Sequence, residues 1–309
     1  MNLISKKFSS ILAWFDTSVI KNGNSDSIDI KRIVPFILMH LAIFGVFWVG
    51  FSWVAFWIAV ALYFIRMFAI TGFYHRYFSH KNFSTGRVVQ FIFAFIAASS
   101  AQRGPLWWAA HHRHHHAKTD QAEDPHSPRH KGFIWSHTLW FLSDQNFATR
   151  SEKIKDFTRF KELCWLDRFD MLAPFLLALA LFILGAVLEK NMPHLGTTGG
   201  QLLVWGFFVS TVVLYHATYS INSLAHRFGS RRFETNDDSR NNPILALITL
   251  GEGWHNNHHY YCGTVRQGFR WYEIDITFYL LKMMSWLGLV WGLKPIPQRI
   301  HQQISRGYQ

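Results

Sequence analysis

Within WWAAHHRHHHAKTD, five of the six residues from His111 to His116 are histidine, and only Arg113 breaks the run. Two shorter blocks add five more: HRYFSH with His75 and His80, and HNNHH with His255, His258 and His259. A fourth, NSLAH, supplies Asn222 and His226. Neutral imidazole is a good ligand for divalent metals. In His-x-x-His-His, positions i, i+3 and i+4 share one face of a helix, so three rings converge on one small volume. HNNHH fits that pattern in one register. HHRHHH fits it in two, His111/His114/His115 or His112/His115/His116, and spacing does not choose between them. His75 and His80 are five apart and need a bulge, a helix end or a turn to meet. Nine or so nitrogens are too many for one ion; two ions with four or five each use them all. Imidazole suits iron, copper, nickel and zinc alike, and chemistry beside a lipid chain favours iron. The isolated His40, His194 and His216 read as hydrogen-bonded or interfacial side chains, and His126, His130 and His137 as loop or packing residues. Asp120, Glu123, Asp124, Glu252 and Asp275 are available to take the outer N–H of a ligand. Glu252, three residues before His255, is the foremost of them.

The elements that must carry these blocks are apolar. Of 309 residues, 50% are hydrophobic, 17% aromatic and only 16% charged, against roughly 25% charged in soluble domains. The net charge is nevertheless +12. A greasy, basic chain points to lipid-embedded segments with basic flanks at an anionic surface, rather than to nucleic-acid binding. Cys164 and Cys262 form no Cys-x-x-Cys pair and no disulfide framework, and no cleavable signal peptide is expected. Four runs approach the length of a span: 34–51, 53–73, 171–188 and 202–221. The shorter run Val88–Ala101 reads as interfacial or re-entrant. The loops at 52 and 189–200 carry almost no positive charge. Apart from Arg66, expected to snorkel, the remaining Lys and Arg fall on the other side, which places both termini in the cytoplasm. With four spans every histidine block lies on that one face; a fifth crossing at 88–101 would separate them. The predicted fold is an all-α integral membrane protein of one domain, 1–309. It comprises a cytosolic segment 1–32, the four spans, and a cytosolic helical cap over 74–170 and 222–309 that carries a dimetal site. The stretch RSEKIKDFTRFKE (Arg150–Glu162) reads as a solvated or interfacial helix without chemistry.

The ordered set HRYFSH, HRHHH, NSLAH and HNNHH, with GEGWHNNHH and DPH at Asp124–His126, resembles the membrane fatty-acid desaturases, especially the stearoyl-CoA (Δ9) type. The likeness runs from about Phe36 to Pro297. It implies a di-iron centre held by His75, His80, His112, His115, His116, His226, His255, His258 and His259, with Asn222 holding a water on one iron. On this reading His111 and His114 are neighbours, not ligands. Glu252 and Asp124 are expected to orient ligands. Trp108 and Thr218 match residues that line the bend of the acyl tunnel, and Tyr219 stands where the animal enzymes have tryptophan. Those enzymes also have Arg-Asp, in contact with the CoA head, where this chain has Ala110-His111. No haem-binding His-Pro-Gly-Gly motif is present, so a separate electron-transfer protein is expected.

The resemblance therefore implies O2-dependent desaturation of a saturated acyl chain, at Δ9, carried as a CoA thioester or an acyl lipid. Membrane lipid is an expected partner, nucleic acid is not, and a bacterial inner membrane is the expected location. A lipid hydroxylase or alkane monooxygenase on the same scaffold is the alternative. A metal transporter is disfavoured, because the spans hold only His40, Arg66 and His216 as ionisable groups and no second site faces the other side.

Overall fold

The computed structural model describes residues 15–19, 23, 25–28 and 30–305; most of the segment 1–32 lies outside them. The chain is mostly helical. The first apolar stretch, α1 (Ile30–Ala42), runs on through a tight turn to Val49. Next come α2 (Trp53–Ser79), α3 (Arg87–Ala98), α4 (Pro105–Lys118), α5 (Lys161–Arg168), α6 (Leu172–Asn191) and α7 (Gly199–His226). The C-terminal part holds α8 (Pro243–Ile248), α9 (His255–Tyr260), α10 (Ile276–Trp286) and α11 (Gln298–Ser305). The two-residue strands β1 (Ser84–Thr85) and β2 (Val290–Trp291) pair antiparallel, Ser84 opposite Trp291, and pin the C-terminal region beside the first histidine block.

Among the described residues three helices, α2, α6 and α7, are long and apolar enough to cross a membrane. At 1.5 Å per residue the 27 residues of α2 reach ~40 Å, so its last turns stand clear of a hydrocarbon layer of ~30 Å. The predicted spans at 53–73 and 202–221 are thus the lower parts of longer helices, whose extensions carry His75 and His226. The stretch 33–49 and α3 are apolar but shorter. Phe175, Leu179, Phe182, Ile183 and Val187 on α6 are exposed, as are Phe47, Trp48, Trp53 and Trp57 around the turn before α2; such an apolar outer surface suits lipid. Between the long helices, Ala55, Leu181, Leu202 and Phe207 form a small core. Gly185 lets α6 approach the start of α7, since a Cβ there would lie 2.4 Å from the Thr198 carbonyl oxygen. The larger core lies under the histidines, where Phe73 stacks on Phe93 at 4.1 Å and Phe83, Tyr77 and Phe157 pack around them.

Two expectations are corrected. Arg66 does not snorkel. It is 1% exposed, and its guanidinium donates to Ser210 Oγ at 2.6 Å and Thr211 Oγ1 at 2.7 Å on α7. A neighbouring helix with hydroxyls in reach satisfies the group better than a long path to water. The stretch Arg150–Glu162 is not one solvated helix. It winds through turns that bury Ile154 and Phe157 in the core, and its Asp156 pairs with Arg113.

Candidate metal centre

The winding of α2 settles how residues five apart can meet. From Ala69 to Ser79 the helix is π-wound, and the His80 N–H donates to the His75 carbonyl at 3.2 Å. The wider turn brings positions i and i+5 towards one face, so the His75 and His80 rings lie 4.9 Å apart. On α4 the structure separates the two registers left open by spacing. His112, His115 and His116 face the pocket. The His111 ring is buried against Trp107 and Trp140 and meets the Ala148 carbonyl at 3.2 Å, and His114 turns to the Glu123 carbonyl at 3.1 Å. The end of α7, tightened into a 3₁₀ turn, presents His226, and α9 presents His255, His258 and His259.

These side chains gather into two groups. His75, His80, His112, His116 and His258 form one, and His115, His226, His255 and His259 the other; within each, the ligand atoms lie within 4.8 Å of one another. Facing Nε2 atoms are 2.8 Å apart for His80/His112, 3.0 Å for His75/His258 and His116/His258, and 3.1 Å for His226/His255. Two neighbouring nitrogens bound at ~2.1 Å to a five- or six-coordinate ion stand ~3 Å apart. Burial, reinforced by the neighbouring imidazoles, drives His80, His112, His116, His255 and His258 well below the ordinary imidazole range. Each is therefore a neutral donor at pH 7, and the donor set fits a pair of transition-metal ions.

The outer nitrogens are fixed by carboxylates. His115 Nδ1 donates to both oxygens of Asp124 at 3.0 Å, His226 Nδ1 to Asp120 at 3.1 Å, and His259 Nδ1 to Asp237 at 3.0 Å. These bonds set the tautomer and aim Nε2 inward. Burial would raise all three carboxyls, but their contacts with the histidines outweigh it and hold them well below the usual carboxylate range. Glu252 serves His75, not the nearby His255, because the backbone turn before α9 points it at the end of α2. Burial pushes Glu252 up, yet His75 and Arg76 together hold it at about 2. Arg76 itself lies between Glu252 and Asp275, at 2.9 Å from each, and Gln267 donates to Glu252 at 2.9 Å. Glu123 instead pairs with Lys118 at the surface. Asp237, Arg76, Gln267 and Arg113 were not singled out from the sequence. Asp237 sits in a polar loop with no periodic relation to His259. Arg113, in a histidine run, gave no sign that it faces away.

On the side of the histidines that faces the apolar parts of α2 and α7 is a cavity lined by Met67, Ile70, Trp108, Thr218, Ile221 and Asn222, with His75, His112, His115 and His255 at its polar end. Trp108 stacks on His112 at 5.1 Å. Tyr219 is not in this lining. One residue on from Thr218, it points ~100° around the helix and stacks on Tyr215 at 5.4 Å. Asn222 lines the cavity, and its side-chain amide has no hydrogen-bond partner among the described residues. His126 packs its ring 4.1 Å from that of His115.

A family model described as fatty acid desaturase matches residues 51–286. A Nostoc protein named sn-2 palmitoyl-lipid 9-desaturase is 35% identical over 286 residues, covering 90% of this chain and 94% of the relative. A Synechocystis protein named sn-1 stearoyl-lipid 9-desaturase is 36% identical over 253 residues, 80% and 74% of the two chains. An Anemone leveillei protein named acyl-CoA 5-desaturase is 35% identical over 257 residues, 82% and 75%.

Proposed function

Because the chain belongs to the fatty acid desaturase family, we propose that it inserts a double bond at Δ9 of a saturated acyl chain held in the Trp108–Thr218 cavity. The observation that carries this reading is the juxtaposition of that cavity with two converging histidine groups. His75, His80, His112, His116 and His258 would hold one iron and His115, His226, His255 and His259 the other, with Asn222 offering its free amide to a water beside them. The iron pair supplies, with O2 and two electrons from a separate carrier protein, an oxidant able to remove hydrogen from two adjacent methylenes.

The rest is the work of this chain. Methylenes look alike, so position must come from shape. Met67, Ile70 and Ile221 give the chain an apolar wall, and Trp108 and Thr218 set where it bends. Thr218 is held by its own helix, donating to the Leu214 carbonyl at 3.0 Å, so it presents its methyl as a fixed stop. Asp120, Asp124, Asp237 and Glu252 keep the outer imidazole protons in place and the inner nitrogens unprotonated. We place the four apolar segments as spans and the histidine-bearing extensions as a cytosolic cap, in keeping with the one-sided positive charge. An acyl lipid is the favoured carrier. At the position where animal relatives contact CoA, His111 is 1% exposed and offers no group to a soluble head, and the cyanobacterial relatives are named for lipid substrates. Expression in a host fed saturated chains, with the new double bond located by mass spectrometry in lipid and thioester fractions, tests the proposal. A Δ9 bond appearing first in lipid is expected; mainly hydroxylated chains would overturn it.

A further inference from the structure

The two histidine groups differ in what stands behind them. In the four-histidine group three rings of four hand an N–H to a carboxylate: His115 to Asp124, His226 to Asp120 and His259 to Asp237. Those carboxylates are otherwise held only by neutral donors. Asp120 accepts from Ser127 Oγ at 2.6 Å and the Asp238 N–H at 2.8 Å. Asp124 accepts from the backbone of Asp120 at 2.9 Å and His126 at 3.1 Å. Asp237 accepts from Thr235 Oγ1 and the Ser239 N–H, both at 2.9 Å. No Lys or Arg side chain pairs with any of the three among the described residues. In the five-histidine group only His75 meets a carboxylate, Glu252, and Arg76 offsets that charge at 2.9 Å. His80, His112, His116 and His258 have no carboxylate partner among the described residues.

A carboxylate behind an imidazole makes the ring a stronger donor, and three carboxylates favour the more positive of two ions; the Arg129 guanidinium, paired with Asp238, acts on Asp120 and Asp237 only through space. We propose that the four-histidine position is the electron-rich half of the centre and retains the higher oxidation state. With two irons bound, the first electron delivered to the oxidised pair would go to the five-histidine position and the second to the four-histidine position. Asp120, Asp124 and Asp237 are positioning residues that set this order. The inference rests on the iron pair proposed above.

The test uses the ⁵⁷Fe-loaded, detergent-solubilised full chain, titrated from the oxidised state with dithionite and followed by Mössbauer spectroscopy. After one electron equivalent, one of two iron environments should be ferrous. Asp237→Asn should perturb the environment that is still ferric and bring the two reductions together. Glu252→Gln should perturb the one reduced first and leave the order unchanged. In a chelator competition Asp237→Asn should weaken one iron tenfold to a hundredfold, sparing the environment reduced first, and Asp237→Glu should restore it. Simultaneous reduction in the parent, or perturbation or loss of the first-reduced iron by Asp237→Asn, would overturn the inference. A parent chain that binds fewer than two irons would instead overturn the underlying reading.

Discussion

Arg113 interrupts the histidine run because its guanidinium is needed on the other side of α4. It donates to the Phe78 carbonyl at 2.6 Å and the Ser79 carbonyl at 3.0 Å, capping the end of α2 beside His80, and forks onto Asp156 at 2.9 and 3.0 Å. Lysine has no planar fork to span both carbonyls and the carboxylate. Arg113→Lys should therefore lower bound metal, measured by elemental analysis, although no ligand is changed. Burial would raise the Asp156 carboxyl, but Arg113 and Lys81 hold it lower. A depressed carboxyl stabilises the fold above its unfolded pKa of about 3.9 and loses that contribution as pH falls through the lower folded value. Asp156→Asn should thus cost about 1 kcal/mol at neutral pH, with the difference from the parent shrinking below pH ~4 in thermal unfolding. Two alanine variants test the ligand set, and the second of them also tests the register of α4. His258→Ala removes a ring 3.0 Å from both His75 and His116 and should empty the five-histidine position, whereas His114→Ala should keep most of the metal. The His-x-x-His-His spacing was legible at this scale, but it left two registers open on α4, and only the fold shows His111 and His114 turned to backbone carbonyls. The outer partners were less so, because Asp237 and Arg113 act through the folded backbone and leave no periodic trace.

The start of α4 is held by a side chain from α5. At the start of α4, Asp167 accepts from the backbone N–H of Leu106 at 2.9 Å and Trp107 at 2.8 Å. α5 comes so close that a Cβ on Gly104 would stand 2.5 Å from the Asp167 Cα. Losing such a cap costs ~1–2 kcal/mol. Asp167→Ala and Gly104→Ala should each lower the melting temperature and the metal content, since α4 carries three rings of the centre; normal metal content in both would show that α4 is fixed from its other end. On α7 the wall residue Thr218 offers a different readout. Thr218→Leu should shift chain-length or double-bond preference, read from the lipid profile, with metal content unchanged. That the first block needed a bulge, a helix end or a turn could be told from its five-residue spacing, but not that the answer would be π-winding spread over Ala69–Ser79. Winding is chosen by tertiary contacts, not by the local residues alone.

For the molecule as a whole, the hydropathy pattern located the apolar helices but not their ends, because α2 and α7 continue unbroken from greasy residues into histidine-bearing ones. The proposed orientation has a direct check. In a background without Cys164 and Cys262, a cysteine at the exposed Lys190, in the last turn of α6, should react with an impermeant thiol reagent from outside intact cells. One at the exposed Arg299 on α11 should react only after the membrane is opened. Labelling of both from the same side would break the four-span arrangement, and the reverse pattern would invert it.

The partners of Arg66 lie 144 and 145 residues further along the chain. A ribosome adding 5–20 residues per second needs roughly 7–30 s to make that stretch. During that interval the newly made second helix carries a cation that lipid disfavours by ~3 kcal/mol at its centre, with the serine and threonine that will receive it not yet synthesised. Maturation must therefore keep this helix beside the insertion machinery, or shallow in the bilayer, until α7 arrives to seat it.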